Sequence, residues 1–206
     1  PSKIMIKKAF ENAIYVASAI GASSNCPPHL TAIAKHMGID FGIDNWDKLG
    51  RDIPLLVNCQ PAGEHLMEGF FKAGGVPAIM QELMKNNKLH KKLITVTGKT
   101  VEENLKNKIE VDCDIIKSFK NPLVKNAGFV VMKSNFFNSA IMKTSVISAE
   151  FRKRYLSNPK SLNVFSAKAV VFEGPEDYHL RINDESLEIN ENSILMIRGC
   201  GPVGYP

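Results

Sequence analysis

The sequence predicts an α/β-class chain, with an α+β arrangement in which a helical stretch precedes a β-rich one. Apolar residues recur at helical spacing through roughly the first 110 residues. Short β-type runs follow, separated by clusters of Gly, Asn, Asp and Pro. The chain has 206 residues, of which 44% are hydrophobic and 23% charged. These values are typical of globular proteins, and the length suits one large domain or two small ones.

Helix start and stop signals punctuate the first stretch. Gly21 ends the first helical pattern, and Ser24 or Asn25 can cap the second, which carries prolines in its first turn. Thr100 and Glu103 form a capping box that predicts a short helix. Apart from that short helix, the helical patterns cover 3–20, 24–37, 44–49, 62–73 and 76–84.

The β-type runs begin after a change of character near residue 120. One earlier apolar run, 53–57, is buried but of undecided type. The predicted strands cover 128–132, 140–144, 167–172 and 193–197. We therefore expect a helical domain over 1–119 and a partial β-rich domain over 120–206.

Charge and hydropathy exclude two classes of partner. The net charge of +5 is modest and spread along the chain, which gives little support to nucleic-acid binding. The basic cluster over 151–155 is short and typical of a solvated loop or helix face. No apolar run approaches the roughly 18–20 residues that span a bilayer. We expect neither a nucleic acid nor a membrane as partner.

The four cysteines favour a reducing compartment. Cys26, Cys59, Cys113 and Cys200 show neither a CxxC clip nor zinc-ligand spacing. Reduced thiols in a cytoplasmic protein are the commoner interpretation, and the opening residues lack a signal-peptide pattern. Each cysteine could still be a single ligand of a cluster that is completed elsewhere.

Two apparent motifs lack the context that their chemistry needs. The glycines at 199, 201 and 204 match a dinucleotide fingerprint, but Pro202 interrupts the helix that must follow it. His29 and His36 lie seven residues apart in one helical pattern, with no third ligand nearby in the sequence. Neither pattern predicts a cofactor site.

The turn Ser23-Ser24-Asn25 permits two interpretations. Two hydroxyls and an amide at a helix start could bind a small carboxylate or phosphate. The commoner role of such residues is to cap their own helix. The residues alone leave both roles open.

Ordered sequence blocks that begin at this turn resemble the dihydroxy-acid dehydratase/phosphogluconate dehydratase family. They extend over nearly the whole chain. The blocks are GASSNCPPHLTAIA at 21–34, VNCQPAGE at 57–64, AGGVPAIM at 73–80, TVTGKT at 95–100, Gly174-Pro175 and IRGCGP at 197–202.

Three details resemble the sugar-acid (aldonate) branch of that family: Trp46, the segment 54–63 and the segment 198–206. The resemblance implies a hydro-lyase that dehydrates an aldonate to a 2-keto-3-deoxy acid. Two alternatives remain: a dihydroxy-acid dehydratase of branched-chain amino-acid biosynthesis, and a non-catalytic remnant that serves as a binding or interaction module.

The resemblance also implies a fold and cofactors. Residues 1–119 would be the helical part of an α/β/α domain, and 120–206 part of a β-barrel-like swivelling domain. Family members use an iron–sulfur cluster, [2Fe-2S] or [4Fe-4S], as Lewis acid on the leaving 3-hydroxyl. A Mg²⁺ ion binds the carboxylate and 2-hydroxyl, a serine is the base, and the enzymes form dimers or tetramers.

We find none of the family's cluster-cysteine, magnesium-ligand or serine-base blocks in this sequence. We therefore expect an internal fragment with no catalytic residue and no metal ligand of its own, inactive when alone. Ser23, Ser24 and Asn25 are the residues expected to lie near the sugar acid or the cluster.

Overall fold

The computed structural model describes residues 1–135, 138–157 and 166–200. The chain divides into two compact units, Pro1–Ile147 and Ser148–Pro206. The predicted domain boundary after residue 119 stays a prediction. The glycines at 201 and 204, with Pro202, lie outside the described residues. None of the helices in the described ranges combines the length and apolarity needed to span a bilayer.

Helices dominate the first unit, and all five helical patterns and the capping-box helix are found there. α1 ends where predicted, because Gly21 adopts a left-handed φ of 62° and the Ala22 N–H donates to the Ala17 carbonyl. The helices described in this unit are α1 Lys7–Ile20, α2 Cys26–His36, α3 Ile43–Gly50, α4 Met67–Lys72, α5 Gly75–Lys85 and α6 Val101–Asn104.

The undecided run 53–57 is extended. Leu55 pairs with Val124 and Val57 with Ile116 as antiparallel bridges. Ile53, Leu55, Leu56 and Val57 are all buried. Their burial explains the unbroken apolar run, since both faces of this backbone are covered.

The helix predicted over 62–73 is shorter than expected, because α4 begins at Met67. The preceding residues form a turn instead. The Gly63 N–H donates to the Cys59 carbonyl, and the Glu64 N–H donates to Asn58 Oδ1 at 3.0 Å. These two N–H groups therefore form hydrogen bonds within the turn and not within a helix. Asn side chains often compete in this way with helix formation for backbone N–H groups.

A two-stranded antiparallel sheet completes the first unit. It joins β1 Phe129–Met132 to β2 Ala140–Lys143, with Phe129 opposite Lys143. Phe129 packs edge-on against Trp46 of α3, with ring centroids 4.9 Å apart. This contact fixes β2, and hence Lys143 at its end, relative to the helices.

The second unit contains a parallel strand pair, β3 Lys168–Phe172 and β4 Ser193–Ile197. α8 Pro175–Arg181 lies between them in sequence, as a parallel connection requires. A short helix, α7 Ala149–Phe151, continues as a π-helical turn over Arg152–Leu156.

All four predicted strands are present. The described part of 120–206 is nevertheless less β-rich than expected, because helical turns and α8 alternate with the strands. α8 begins with Pro175 in its first turn and Glu176 and Asp177 beside it, which is a helix-start signal that the strand-based prediction overlooked. The described residues therefore form a mixed α and β structure.

Candidate active site

A cavity of about 460 Å³ opens in the first unit, within the size range of small-molecule sites. Its apolar wall includes Val57, Met67 and Phe70. Its polar wall combines hydroxyl, amide and ammonium groups. These polar side chains belong to Ser23, Ser24, Gln60 and Lys143.

The turn after α1 forms one side of the cavity. A Cβ added at Gly21 would lie 2.8 Å from Leu55 Cδ1, so a side chain there would displace the turn from the buried run. The positive φ of Gly21 also favours glycine. This glycine thus lets the chain reverse close to the core and present Ser23 and Ser24, both exposed, at the cavity wall.

The structure places two of the three predicted site residues at the cavity wall. Ser23 and Ser24 line the cavity, whereas Asn25 does not. Asn25 occupies the N-cap position of α2, but its side chain makes no capping hydrogen bond. Capping by the Asn25 or Ser24 side chain is therefore not observed. The contacts of all three residues with a substrate stay a prediction.

The start of α2 offers few free backbone donors. The Asn25 N–H donates to Ser23 Oγ at 3.2 Å, and the Cys26 N–H donates to the Ser23 carbonyl. Pro27 and Pro28 occupy the first helical turn and have no N–H. An anion at this end of the cavity must therefore be met mainly by side chains.

A second segment contributes Cys59, Gln60 and Pro61 to the cavity. Asn58 holds this segment in place, because its Oδ1 accepts from the Glu64 N–H and its Nδ2 donates to the Asp114 carbonyl. Some residues of block 57–64, one of the blocks that carry the family resemblance, thus line the cavity. Hydrogen bonds within a turn hold them there, and they do not belong to a helix.

Lys143 is a charged cavity residue that the sequence analysis missed. It ends β2, is half-buried, and its Nζ donates to the Gly21 carbonyl at 3.0 Å. Burial lowers the pKa of its ammonium, and the nearby Cys26 thiol opposes that shift less strongly. The only signal in the sequence was a lysine directly after three apolar strand residues, at a position where a charge is unexpected.

Burial opposes activation of the two cysteines of this region. Burial raises the pKa of Cys26 above its ordinary value, and Lys143 lowers it by less. Burial likewise raises the pKa of Cys59, whose Sγ donates to the Leu66 carbonyl at 3.6 Å. All four cysteines are free. A raised thiol pKa disfavours the thiolate that a metal requires.

Among residues 1–135, 138–157 and 166–200, no group of three His, Cys, Asp or Glu side chains could hold a metal ion. His29 and His36 are exposed on α2. The described residues therefore do not fit an iron–sulfur or magnesium site.

The cavity wall thus combines hydroxyl, amide and ammonium donors with apolar side chains. Family models define the class. The dihydroxy-acid/6-phosphogluconate dehydratase N-terminal domain matches residues 1–104, and the C-terminal domain of the same description matches 114–206. The chain belongs to this dehydratase family.

Individual relatives show which dehydratases of this family the chain is similar to. The chain is 52% identical to D-xylonate dehydratase of Caulobacter vibrioides and 42% identical to L-arabinonate dehydratase of Rhizobium leguminosarum bv. trifolii. It is 36% identical to dihydroxy-acid dehydratase of Acetivibrio thermocellus. Each match covers 100% of this chain but only 34–35% of the relative, so the chain spans about a third of their length.

Proposed function

We propose that the whole protein is a hydro-lyase that removes water from an aldonate and leaves a 2-keto-3-deoxy acid. The observation that carries this proposal is the lining of the cavity, which combines the polar side chains of Ser23, Ser24 and Gln60 with apolar side chains and one ammonium group. Hydroxyls and amides both donate and accept hydrogen bonds, as a polyhydroxylated substrate requires. Identities of 52% and 42% to two aldonate dehydratases, against 36% to a dihydroxy-acid dehydratase, support the sugar-acid branch.

In this proposal, the described residues bind and orient the substrate. The hydroxyls of Ser23 and Ser24 hydrogen-bond sugar hydroxyls, and Gln60 does so from the opposite segment. Val57 and Phe70 cover the carbon chain and exclude water from one face of it. Binding several hydroxyls at once fixes the position of the C2–C3 bond that becomes unsaturated.

The chemistry at that bond needs groups that the described residues do not supply. Hydroxide is a poor leaving group, and the family resemblance implies that an iron–sulfur cluster and Mg²⁺ would supply the Lewis-acid chemistry that its departure needs. We propose that their ligands and the serine base belong to parts of the protein outside this chain.

The finer architecture is proposed on the same basis. Residues 1–119 would be the helical portion of an α/β/α domain and 120–206 part of a β-barrel-like swivelling domain. A cytoplasmic homo-oligomer, dimer or tetramer, is proposed for the whole protein.

A dihydroxy-acid dehydratase of branched-chain amino-acid biosynthesis is the second candidate, because relatives of that name match at 36% and 35% identity. Its substrate carries methyl groups where an aldonate carries hydroxyls. The hydroxyl-rich wall formed by Ser23 and Ser24 therefore favours the aldonate.

The test is a substrate comparison with the full-length protein purified without exposure to oxygen. D-xylonate, L-arabinonate and 2,3-dihydroxy-3-methylbutanoate are each supplied, and the 2-keto product is measured as its semicarbazone. We expect kcat/KM for at least one aldonate to exceed that for the dihydroxy acid about 10-fold or more, the scale on which unpaired polar groups discriminate. Preference for the dihydroxy acid would establish the second candidate. No turnover of any acid would favour the binding-module alternative.

A further inference from the structure

Among the described residues, one charged side chain lines the cavity. Lys143 is the lone Lys, Arg, His, Asp or Glu among the described residues of its wall. No carboxylate of the described residues forms an ion pair with its Nζ. The cavity is therefore electropositive, and a half-buried cation without a counter-ion favours an anionic occupant.

The ammonium group has donors to spare. Of its three N–H groups, one donates to the Gly21 carbonyl at 3.0 Å. That carbonyl belongs to the residue that ends α1, and α1 has no basic residue in its last turn. Lys143 therefore supplies, from β2, the positive charge that a helix C-terminus favours, and this contact holds the ammonium at the cavity wall.

The N-terminus of α2, which is the alternative anion site at this cavity, offers few free N–H donors. Helix N-termini bind anions through free N–H groups, but α2 begins with Cys26, Pro27 and Pro28. The Cys26 N–H is bound to the Ser23 carbonyl, and the prolines have none. The strongest partner for a carboxylate in this cavity is thus the Lys143 ammonium.

We propose that Lys143 binds the carboxylate of the acid substrate and so selects an acid over the corresponding neutral polyol. This inference rests on the proposed function, because it places the same substrate in the same cavity. The carboxylate lies at the Gly21 side, and the hydroxyls of the substrate reach Ser23 and Ser24. A carboxylate has two oxygens with about four lone-pair sites, so contact with Lys143 leaves others for further donors.

A binding measurement separates this role from a purely structural one. The full-length holoenzyme is titrated calorimetrically with a 3-deoxypentonate, which lacks the leaving hydroxyl and cannot be dehydrated. The matched neutral ligand is the corresponding 3-deoxypentitol. We expect Lys143→Met to weaken binding of the acid about 10- to 100-fold, as expected for loss of a charge-assisted hydrogen bond, and binding of the polyol less than about 3-fold.

Three further variants control for folding. Lys143→Arg keeps the charge and should bind the acid within about 5-fold of wild type. Lys143→Gln keeps a donor for the Gly21 carbonyl but loses the charge, so it should show the same selective loss if Lys143→Met does not fold. Lys117→Met is the matched control, because Lys117 is also half-buried and its Nζ donates to a backbone carbonyl, that of Cys113, at 2.8 Å. It should leave both affinities unchanged.

Other results would overturn the inference. Equal loss of acid and polyol binding in Lys143→Gln, or a lower Tm with unchanged preference for the acid, would make Lys143 a tether of the Gly21 turn only. A wild-type protein that binds the acid no better than the polyol would also refute it. A wild-type protein that prefers the acid but turns over no aldonate would instead refute the proposed function while leaving the role of Lys143 supported.

Discussion

At the scale of single residues, glycine is required near the cavity where a Cβ atom would overlap with neighbouring atoms. A Cβ at Gly63 would lie 2.4 Å from Asn58 Oδ1 and 2.6 Å from the Cys59 nitrogen. The same Asn58 side chain holds the turn that presents Cys59 and Gln60. Gly63 therefore supports the shape of the cavity without lining it.

Gly63→Ala should consequently destabilise the protein by about 1–3 kcal/mol, because the added methyl group displaces backbone as well as side-chain atoms. Denaturant unfolding measures this change. Gly42→Ala is the control, since nothing lies within 4 Å of a Cβ there and its φ of −130° is unstrained. It should cost about 1 kcal/mol or less, as expected at a helix N-cap. Equal losses in the two variants would show that the close approach at Gly63 is unimportant.

The double variant Ser24→Ala/Asn25→Ala tests the predicted site residues. Neither side chain caps α2 through a hydrogen bond, so we expect the Tm to change by less than about 3 °C. Turnover of the aldonate should fall about 10-fold, as expected when a substrate hydrogen bond is lost. Ser24→Ala alone should account for most of this, because Ser24 lines the cavity and Asn25 does not. A change in Tm with unaltered kinetics would restore the capping interpretation.

At the scale of elements, a buried amide joins α1 to the segment after α5. Asn12 Nδ2 donates to the His90 carbonyl at 3.1 Å, and Asn12 Oδ1 accepts from the His90 N–H at 2.8 Å. Asn12 is buried, so water cannot replace these partners freely. The pair fixes a loop to the helix whose C-terminus forms the cavity turn.

Asn12→Leu should therefore destabilise the protein by about 2–4 kcal/mol, since it leaves two peptide groups without partners. Asn12→Asp keeps the acceptor for the His90 N–H but sets a carboxylate oxygen against the His90 carbonyl, so it should also destabilise the protein at neutral pH, and less at acid pH, where the protonated carboxyl can donate to that carbonyl. Thermal unfolding of both variants measures the difference. A Leu variant as stable as wild type would mean that solvent or a rearranged loop satisfies the His90 peptide groups.

The capping box of α6 provides a pH-dependent test. Hydrogen bonds from the Thr100 N–H and hydroxyl, both 2.7 Å, lower the pKa of the Glu103 carboxyl. Its stabilising contribution is therefore present above the unfolded-state pKa of about 4.3 and is lost as pH falls through the lower folded-state pKa.

We expect Glu103→Gln to lower the Tm at neutral pH and to match wild type progressively as the pH falls below about 4. Melting curves across this range measure the convergence. Glu102→Gln, one residue away and outside the box, should produce a smaller change. A Tm difference that is independent of pH would mean that the carboxylate charge does not stabilise the cap.

At the scale of the whole molecule, several large apolar side chains face solvent in the described residues. Phe71 is 80% exposed and Val96 is 87% exposed. Leu66 and Met67 are also exposed, and Met67 lines the cavity. Because the chain spans about a third of its relatives' length, we infer that further parts of the protein or other subunits cover these side chains.

The 206-residue chain alone should therefore self-associate, whereas Phe71→Ser/Val96→Ser should reduce its association. Sedimentation velocity over a range of concentrations measures this, with far-UV circular dichroism as the check that both chains are folded. Serine at these two exposed positions removes apolar surface without disturbing the buried core. A wild-type chain that stays monomeric at high concentration would contradict the expectation.

Local geometry explains what the sequence alone predicted. The end of α1 at Gly21, the Thr100–Glu103 capping box and all four strands depend on periodicity and on residue-specific backbone preferences, which neighbouring residues determine. The family was also identifiable, because its blocks are short and lie in order along the chain. That resemblance also led to the prediction that Ser23, Ser24 and Asn25 are site residues; Ser23 and Ser24 line the cavity, and their contacts with a substrate stay a prediction.

Only the tertiary structure decided the rest, because it depends on pairing between distant residues. Whether 53–57 was strand or helix was set by bridges to Ile116 and Val124. Residues 62–66 became a turn because Asn58 bound their backbone. The cavity acquired its charge from Lys143, 122 residues from the Gly21 carbonyl that it contacts. Hydrophobic periodicity shows which face of a helix or strand is buried. It does not show which side chain, distant in the sequence, completes a site.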